Sequence, residues 1–114
     1  NYIFKKNIKG TIMKNVMTIK LMTTIETRFG IVDDSLNDKI SDGIKLDWDE
    51  DDGILDVSIY DVVVKRDLRD GECEACIELD IEVSEKLEDP MKFVKFDISD
   101  TVAYNFSIDD VIIS

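Results

Sequence analysis

The chain is 114 residues long, 44% apolar, with 14 basic side chains against 26 acidic for a formal charge of −12, and it contains no histidine and only two cysteines. One domain with a core of moderate size fits that length. The missing histidine removes the commonest general base and metal ligand, two cysteines make no disulfide framework, and an acidic body repels nucleic acid and anionic membranes while favouring basic partners or cations.

The charge is unevenly spread. Residues 1–30 carry six basic side chains (Lys5, Lys6, Lys9, Lys14, Lys20, Arg28) against Glu26 alone, leaving eight basic and 25 acidic for the remainder. Residues 1–12 use amino acids with A/T-rich codons and read as a disordered or non-native extension, with Met13, Met17 or Met22 as a start; a basic arm is the alternative. Residues 13–114 are read as a single domain. No apolar run approaches the ~18 residues of a membrane span and no secretory h-region is present, so the expectation is a soluble, cytoplasmic protein with no membrane contact.

In chain order, Ile19, Leu21, Ile25 and Phe29 alternate with Lys20, Thr24, Glu26 and Arg28, predicting a first strand that breaks at Gly30. Asp33, Asp34 and Ser35 offer caps for one or two helical turns over Ser35 to Ile40, with Leu36 and Ile40 on one face and Gly43 just beyond; a loop pinned by Leu36 and Ile40 is the alternative. Ile44, Leu46 and Trp48 predict a second strand. Asp52-Gly53 suits a type I′ hairpin that would set Trp48 opposite Val57 and Leu46 opposite Ile59.

The third strand, Ile54 to Lys65, changes phase: Leu55, Val57 and Ile59 are apolar at odd positions, Tyr60, Val62 and Val64 at even ones. A one-residue slip turns every side chain over, so a β-bulge at Ile59 to Asp61 is expected, with burial on both faces as the alternative. A turn over Arg66 to Gly71 would then bring Val64 to Cys73 and Val62 to Ala75.

The next stretch alternates almost without fault. Cys73, Ala75, Ile77, Leu79, Ile81 and Val83 fall on one side; Glu72, Glu74, Glu78, Asp80 and Glu82 fall on the other. That is a half-buried antiparallel strand with an apolar face and a carboxylate face. After a connection ending at Pro90, Val94, Phe96 and Ile98 predict a fifth strand and Val102, Tyr104, Phe106 and Ile108 a sixth. A short loop between them would pair Phe96 with Tyr104 and Val94 with Phe106, and Val111 to Ile113 would form a last short strand or an unpartnered patch. The expected fold is all-β: an antiparallel, hairpin-rich sandwich or barrel of six to seven strands with at most one short helix.

No phosphate-binding loop or nucleophile elbow is present, and the carboxylates are too many for any two to be singled out as acid and base. The expectation is therefore no enzyme and no cofactor. Asp47 to Gly53 resembles a calcium loop, but glycine falls seventh and Ser58 twelfth, which breaks the EF-hand pattern; a looser calcium site would use Asp47, Asp49 and Asp51 with Asp109 or Asp110. Cys73 and Cys76 lie on opposite faces of a strand, too far apart to bridge.

The carboxylate row Glu72, Glu74, Glu78, Asp80 and Glu82 is the candidate partner-binding face. Lys65, Lys92 or Lys95 on adjacent strands would neutralise it and make it an ordinary salt-bridged surface. The leading expectation is a non-catalytic acidic β-domain, of phage or bacterial type, that acts through contacts with a protein, basic or a second copy, rather than with nucleic acid itself. The alternatives are a nucleic-acid mimic that inhibits a basic DNA- or RNA-binding protein and a calcium-binding β-sandwich.

Overall fold

In the computed structural model, which describes residues 15–29, 35–69 and 72–114, six strands form two antiparallel sheets with one α-helix. The strands are β1 (Asn15–Thr27), β2 (Ile44–Trp48), β3 (Ile54–Arg69), β4 (Glu72–Val83), β5 (Val94–Ile98) and β6 (Ala103–Ile113); the helix α1 is Ser35–Gly43. The large sheet has the order β3-β4-β1-β6, and β2 and β5 pair with each other in the small one. Expectations that fall on residues 1–14, Gly30, Asp33, Asp34 or Gly71 lie outside the described residues.

β4 is the middle of the fold. Cys73, Ala75, Ile77, Leu79, Ile81 and Val83 are buried without exception, and the intervening residues are half-buried. β1 lies antiparallel beside it with Ile19 opposite Leu79 and Leu21 opposite Ile77, so the apolar phases of the two strands coincide. Two threonines share this inner face at no polar cost, because the Thr23 hydroxyl donates to the Ala75 carbonyl at 2.8 Å and that of Thr27 to the Phe29 carbonyl at 2.7 Å. β3 completes this side with the expected bulge: Ile59 pairs with Leu79 and Asp61 with Glu78, leaving Tyr60 unpaired and exposed. That extra residue lets Val57 and Val62 be buried alike despite their opposite parity.

α1 packs against β3 through Leu36 and Ile40, and the Asn37 side chain accepts from the Val64 amide at 2.9 Å. The small sheet closes the rest of the core. Phe96 of β5 meets Phe106 of β6 edge to face, with centroids 5.7 Å apart.

Three expected pairings are corrected. β2 and β3 form no hairpin: the Asp49 carboxylate accepts from the Asp51 amide at 2.9 Å and starts a 3₁₀ turn over Glu50–Asp52, which Gly53 ends at φ 89° by donating to the Glu50 carbonyl. A type I′ turn needs positive φ at both central residues; here Asp52 is helical and Gly53 alone is left-handed, so the chain leaves one sheet and enters the other. β5 and β6 are not paired either. The tight turn after Ile98, where Val102 and Ala103 both donate to the Ser99 carbonyl, carries the chain across to β1. β3 and β4 do pair, but Val64 lies opposite Ala75 and Val62 opposite Ile77, two residues from the expected register and on the same face. Val111 to Ile113 is no separate strand; it continues β6 along Ile19 to Leu21.

Candidate functional site

The outer face of the large sheet gathers Glu72, Glu74, Glu78, Asp80 and Glu82 in one row, half-buried between β1 and β3. Register adds neighbours that the row alone does not reveal. On the β3 side Asp56 lies opposite Glu82 and Asp61 opposite Glu78; on the β1 side Glu26 lies opposite Glu72. Three cross-strand pairs therefore set carboxylate against carboxylate, each worth roughly 0.5–1 kcal/mol of repulsion in water at such separations.

Cations and a hydroxyl also meet this row: Arg66 reaches Glu74 at 3.4 Å in an exposed ion pair, Lys20 lies opposite Glu78 and Arg69 opposite Glu72 in the register, and the Thr18 hydroxyl donates to Asp80 at 3.4 Å. Lys95 is not on the face at all: it belongs to β5, opposite Asp47. Lys92 lies in the 3₁₀ turn Pro90–Phe93, and Lys65 is the extra residue of another β3 register shift, between Val64 and Arg66. An apolar band of Val63, Cys76 and Met22, one residue from each strand, divides the face. Beyond it, Asp56, Asp61, Glu78, Asp80 and Glu82 lie together on the side toward the C-terminal end of β4.

The small sheet shows the contrasting solution. Its outward charges stand in register with opposite signs, Lys45 facing Asp97 and Asp47 facing Lys95. The small sheet thus pairs only opposite charges, whereas the large sheet sets the three carboxylate pairs beside the cation–carboxylate pairs Lys20 with Glu78, Arg66 with Glu74 and Arg69 with Glu72.

Three strand aspartates, Asp61 of the carboxylate face among them, also accept from backbone amides. Antiparallel residues alternate between facing their partner strand and facing away, and on the outermost strands the outward amides need other acceptors. Val62 donates to Asp61, Ile98 to Asp97 and Val111 to Asp110, each at 2.9 Å, so the residue before each free amide caps it.

The five carboxylates expected to hold calcium come from the end of β2, the 3₁₀ turn that follows it, and β6. Asp47, Asp49 and Asp51 line an open cavity of about 720 Å³ with Trp48, Glu50, Asp52, Phe93 and Lys95, and Asp49 is engaged as a turn cap. Asp109 and Asp110 are on β6. Among the described residues no group of three or more His, Cys, Asp or Glu side chains is placed to hold a metal ion. Asp109 instead accepts from the Thr24 hydroxyl at 2.6 Å and from Ser107 at 2.8 Å, which hold its carboxyl below the usual range, Thr24 most strongly.

A folded-state pKa below the unfolded one stabilises at neutral pH, and that contribution is lost as pH falls below the ordinary carboxylate range through the lowered value. Carbon-13 NMR titration is expected to show Asp109 ionising at lower pH than an unstructured aspartate. Replacing both Thr24 by Val and Ser107 by Ala should return it to the ordinary range.

Asp56 and Asp61 join the row only through strand register, and the change of phase at Tyr60 is the sequence signal that puts both on the carboxylate face. Cys73 is buried and Cys76 half-buried, neither in a disulfide, on opposite faces as their spacing requires. Among the described residues no helix is long and apolar enough to cross a membrane. No protein-family model matches the chain, and no curated protein or solved structure is significantly similar to it.

Proposed function

We propose that the chain is a non-catalytic acidic β-domain and that the outer face of its large sheet docks a basic protein, with Asp56, Asp61, Glu78, Asp80 and Glu82 as the principal contacts. The observation that carries this reading is the set of like-charged cross-strand pairs, Asp56 with Glu82, Asp61 with Glu78 and Glu26 with Glu72. A sheet surface that serves only solubility gains nothing from placing carboxylates opposite each other, and the small sheet of the same protein avoids doing so. Lysines or arginines of a partner would remove the repulsion, so association gains both the new attraction and the relief of strain between the carboxylates.

A second reading shares this face. Alternate residues on β4 stand about 7 Å apart, close to the spacing of phosphates along one nucleic-acid strand. The row Glu78, Asp80, Glu82 would then present itself to the DNA-binding surface of a basic protein and exclude DNA from it.

The test uses the full chain and a lysine- and arginine-rich peptide. Replacing Glu78, Asp80 and Glu82 by Lys is expected to weaken binding at low salt by about tenfold or more. A control replacing the exposed Glu50, Asp52 and Glu88 by Lys has the same net charge and is expected to change binding by less than about threefold. Equal losses in the two variants would reduce the effect to net charge and remove the proposed face. Competition between the chain and duplex DNA for a basic DNA-binding protein separates the second reading from the first: displacement of DNA supports the mimic, and simultaneous binding of both excludes it.

A further inference from the structure

We infer that the free edge of β6 accepts an extended partner segment of alternating apolar and basic residues, which adds a fifth strand to the large sheet. This surface is distinct from the carboxylate face. Thr18 and Ser114 exchange both backbone bonds, at 3.3 and 3.0 Å, so by antiparallel alternation Val111 and Ile113 turn their amides and carbonyls away from β1. Among the described residues no strand lies beyond them.

Side chains make the same case. Val111 and Ile113 stand opposite Leu21 and Ile19 on the inner face, where both β1 residues are fully buried, yet Val111 is 37% and Ile113 39% exposed. Ile108 is 39% exposed on that face, and Ile112 is 47% exposed on the other. The core thus ends on β6 in an uncovered apolar lip that one more strand would close.

The opposite edge of the sheet is obstructed. β3 is interrupted by bulges, and α1 packs against it with Asn37 already holding the Val64 amide.

Charge selects the occupant. β6 carries Asp109 and Asp110 and no cation, so apolar residues of the added strand would cover Val111 and Ile113 while basic ones on its other face meet Asp110. Asp110 now accepts from the Val111 amide; a partner carbonyl would replace it there and release the carboxylate to a partner's lysine. A second copy is the poorer occupant, because two chains of charge −12 would meet along a strand with no cation on either side. The bulge between Ile108 and Asp110 also shifts the phase of the free amides midway along β6.

The experiment titrates the full chain with an octapeptide of alternating Lys and Val and follows amide hydrogen exchange by NMR. The expected result is saturable binding with slowed exchange at Val111 and Ile113 and no change at Val57 and Ile59 of β3. The same peptide N-methylated at alternate residues should bind about tenfold more weakly or worse, having lost two or three ladder bonds; a Glu and Val counterpart should not bind. The Glu78, Asp80 and Glu82 to Lys variant should still bind and show the same protected amides, which separates this inference from the proposed carboxylate-face function. Absence of binding, or equal binding of the N-methylated peptide, would overturn it. So would slow exchange at Val111 and Ile113 without peptide: concentration dependence would assign the edge to a second copy, and its absence to residues 1–14 of the same chain.

Discussion

Replacing Leu79 by Ala is expected to cost about 2–5 kcal/mol, the range for emptying a fully buried leucine site, whereas replacing its neighbour Asp80 by Ala should change stability by no more than about 0.5 kcal/mol. Leu79 has no exposed surface and sits between Ile19 of β1 and Ile59 of β3, so the missing atoms leave a hole that flanking strands on both sides cannot collapse to fill. Asp80 projects from the other face, where it accepts from the Thr18 hydroxyl at a long 3.4 Å, and its removal also thins the carboxylate row. A domain of this size has roughly 5–15 kcal/mol of stability in total, so the leucine variant stands near the edge of folding and the aspartate variant does not. Urea denaturation measures both: the midpoint should drop sharply for Leu79→Ala with little change in slope, and stay near that of the parent for Asp80→Ala. Comparable losses at the two positions would mean that β4 does not separate core from solvent.

The contrast between those adjacent residues was legible in the sequence because β4 lies in the interior of a sheet with one face on the core. Period-two alternation reports which face a residue occupies, and the fault in alternation at Ile59 to Asp61 reports the bulge for the same reason. It does not report which strand lies alongside. β1 reaches β4 across more than forty intervening residues, and no local signal distinguishes that neighbour from any other apolar strand. Ile44–Trp48 and Val94–Ile98 were legible as strands but not as partners, since five alternating residues fit several registers equally well.

Turn chemistry misled in a specific way. Asp52-Gly53 satisfies a type I′ hairpin, but the Asp49 side chain three residues earlier caps a 3₁₀ turn that uses the same glycine as its stop. The acidic row was likewise readable while its meaning was not. Opposition between Glu26 and Glu72, or between Asp56 and Glu82, exists only once β1, β3 and β4 are in register.

Gly43 carries the second large effect. A glycine at the end of a helix usually marks a stop, and Gly to Ala within a helix commonly stabilises by up to about 1 kcal/mol. Here the sign is expected to reverse. A Cβ at Gly43 would lie 2.5 Å from one γ-methyl of Val102 and 3.1 Å from its Cβ. Neither side can easily retreat: the Gly43 carbonyl accepts from the Ser99 amide at 2.8 Å, the Val102 amide donates to the Ser99 carbonyl at 2.9 Å, and the Val102 carbonyl accepts from Arg28 at 2.8 Å. These bonds join the end of α1, the turn after β5 and the end of β1, so the overlap must be absorbed by shifting the place where the two sheets meet. Gly43→Ala should therefore cost about 1–3 kcal/mol, the range for overpacking a fixed core. Val102→Ala removes the offending methyls at the expense of a small cavity of its own. In the double variant the two losses should fall short of their sum by about 0.5–3 kcal/mol, the coupling expected of residues in direct contact. Strict additivity, or a stabilising Gly43→Ala, would mean that helix termination alone accounts for the glycine and that the close approach to Val102 does not set the junction between the sheets.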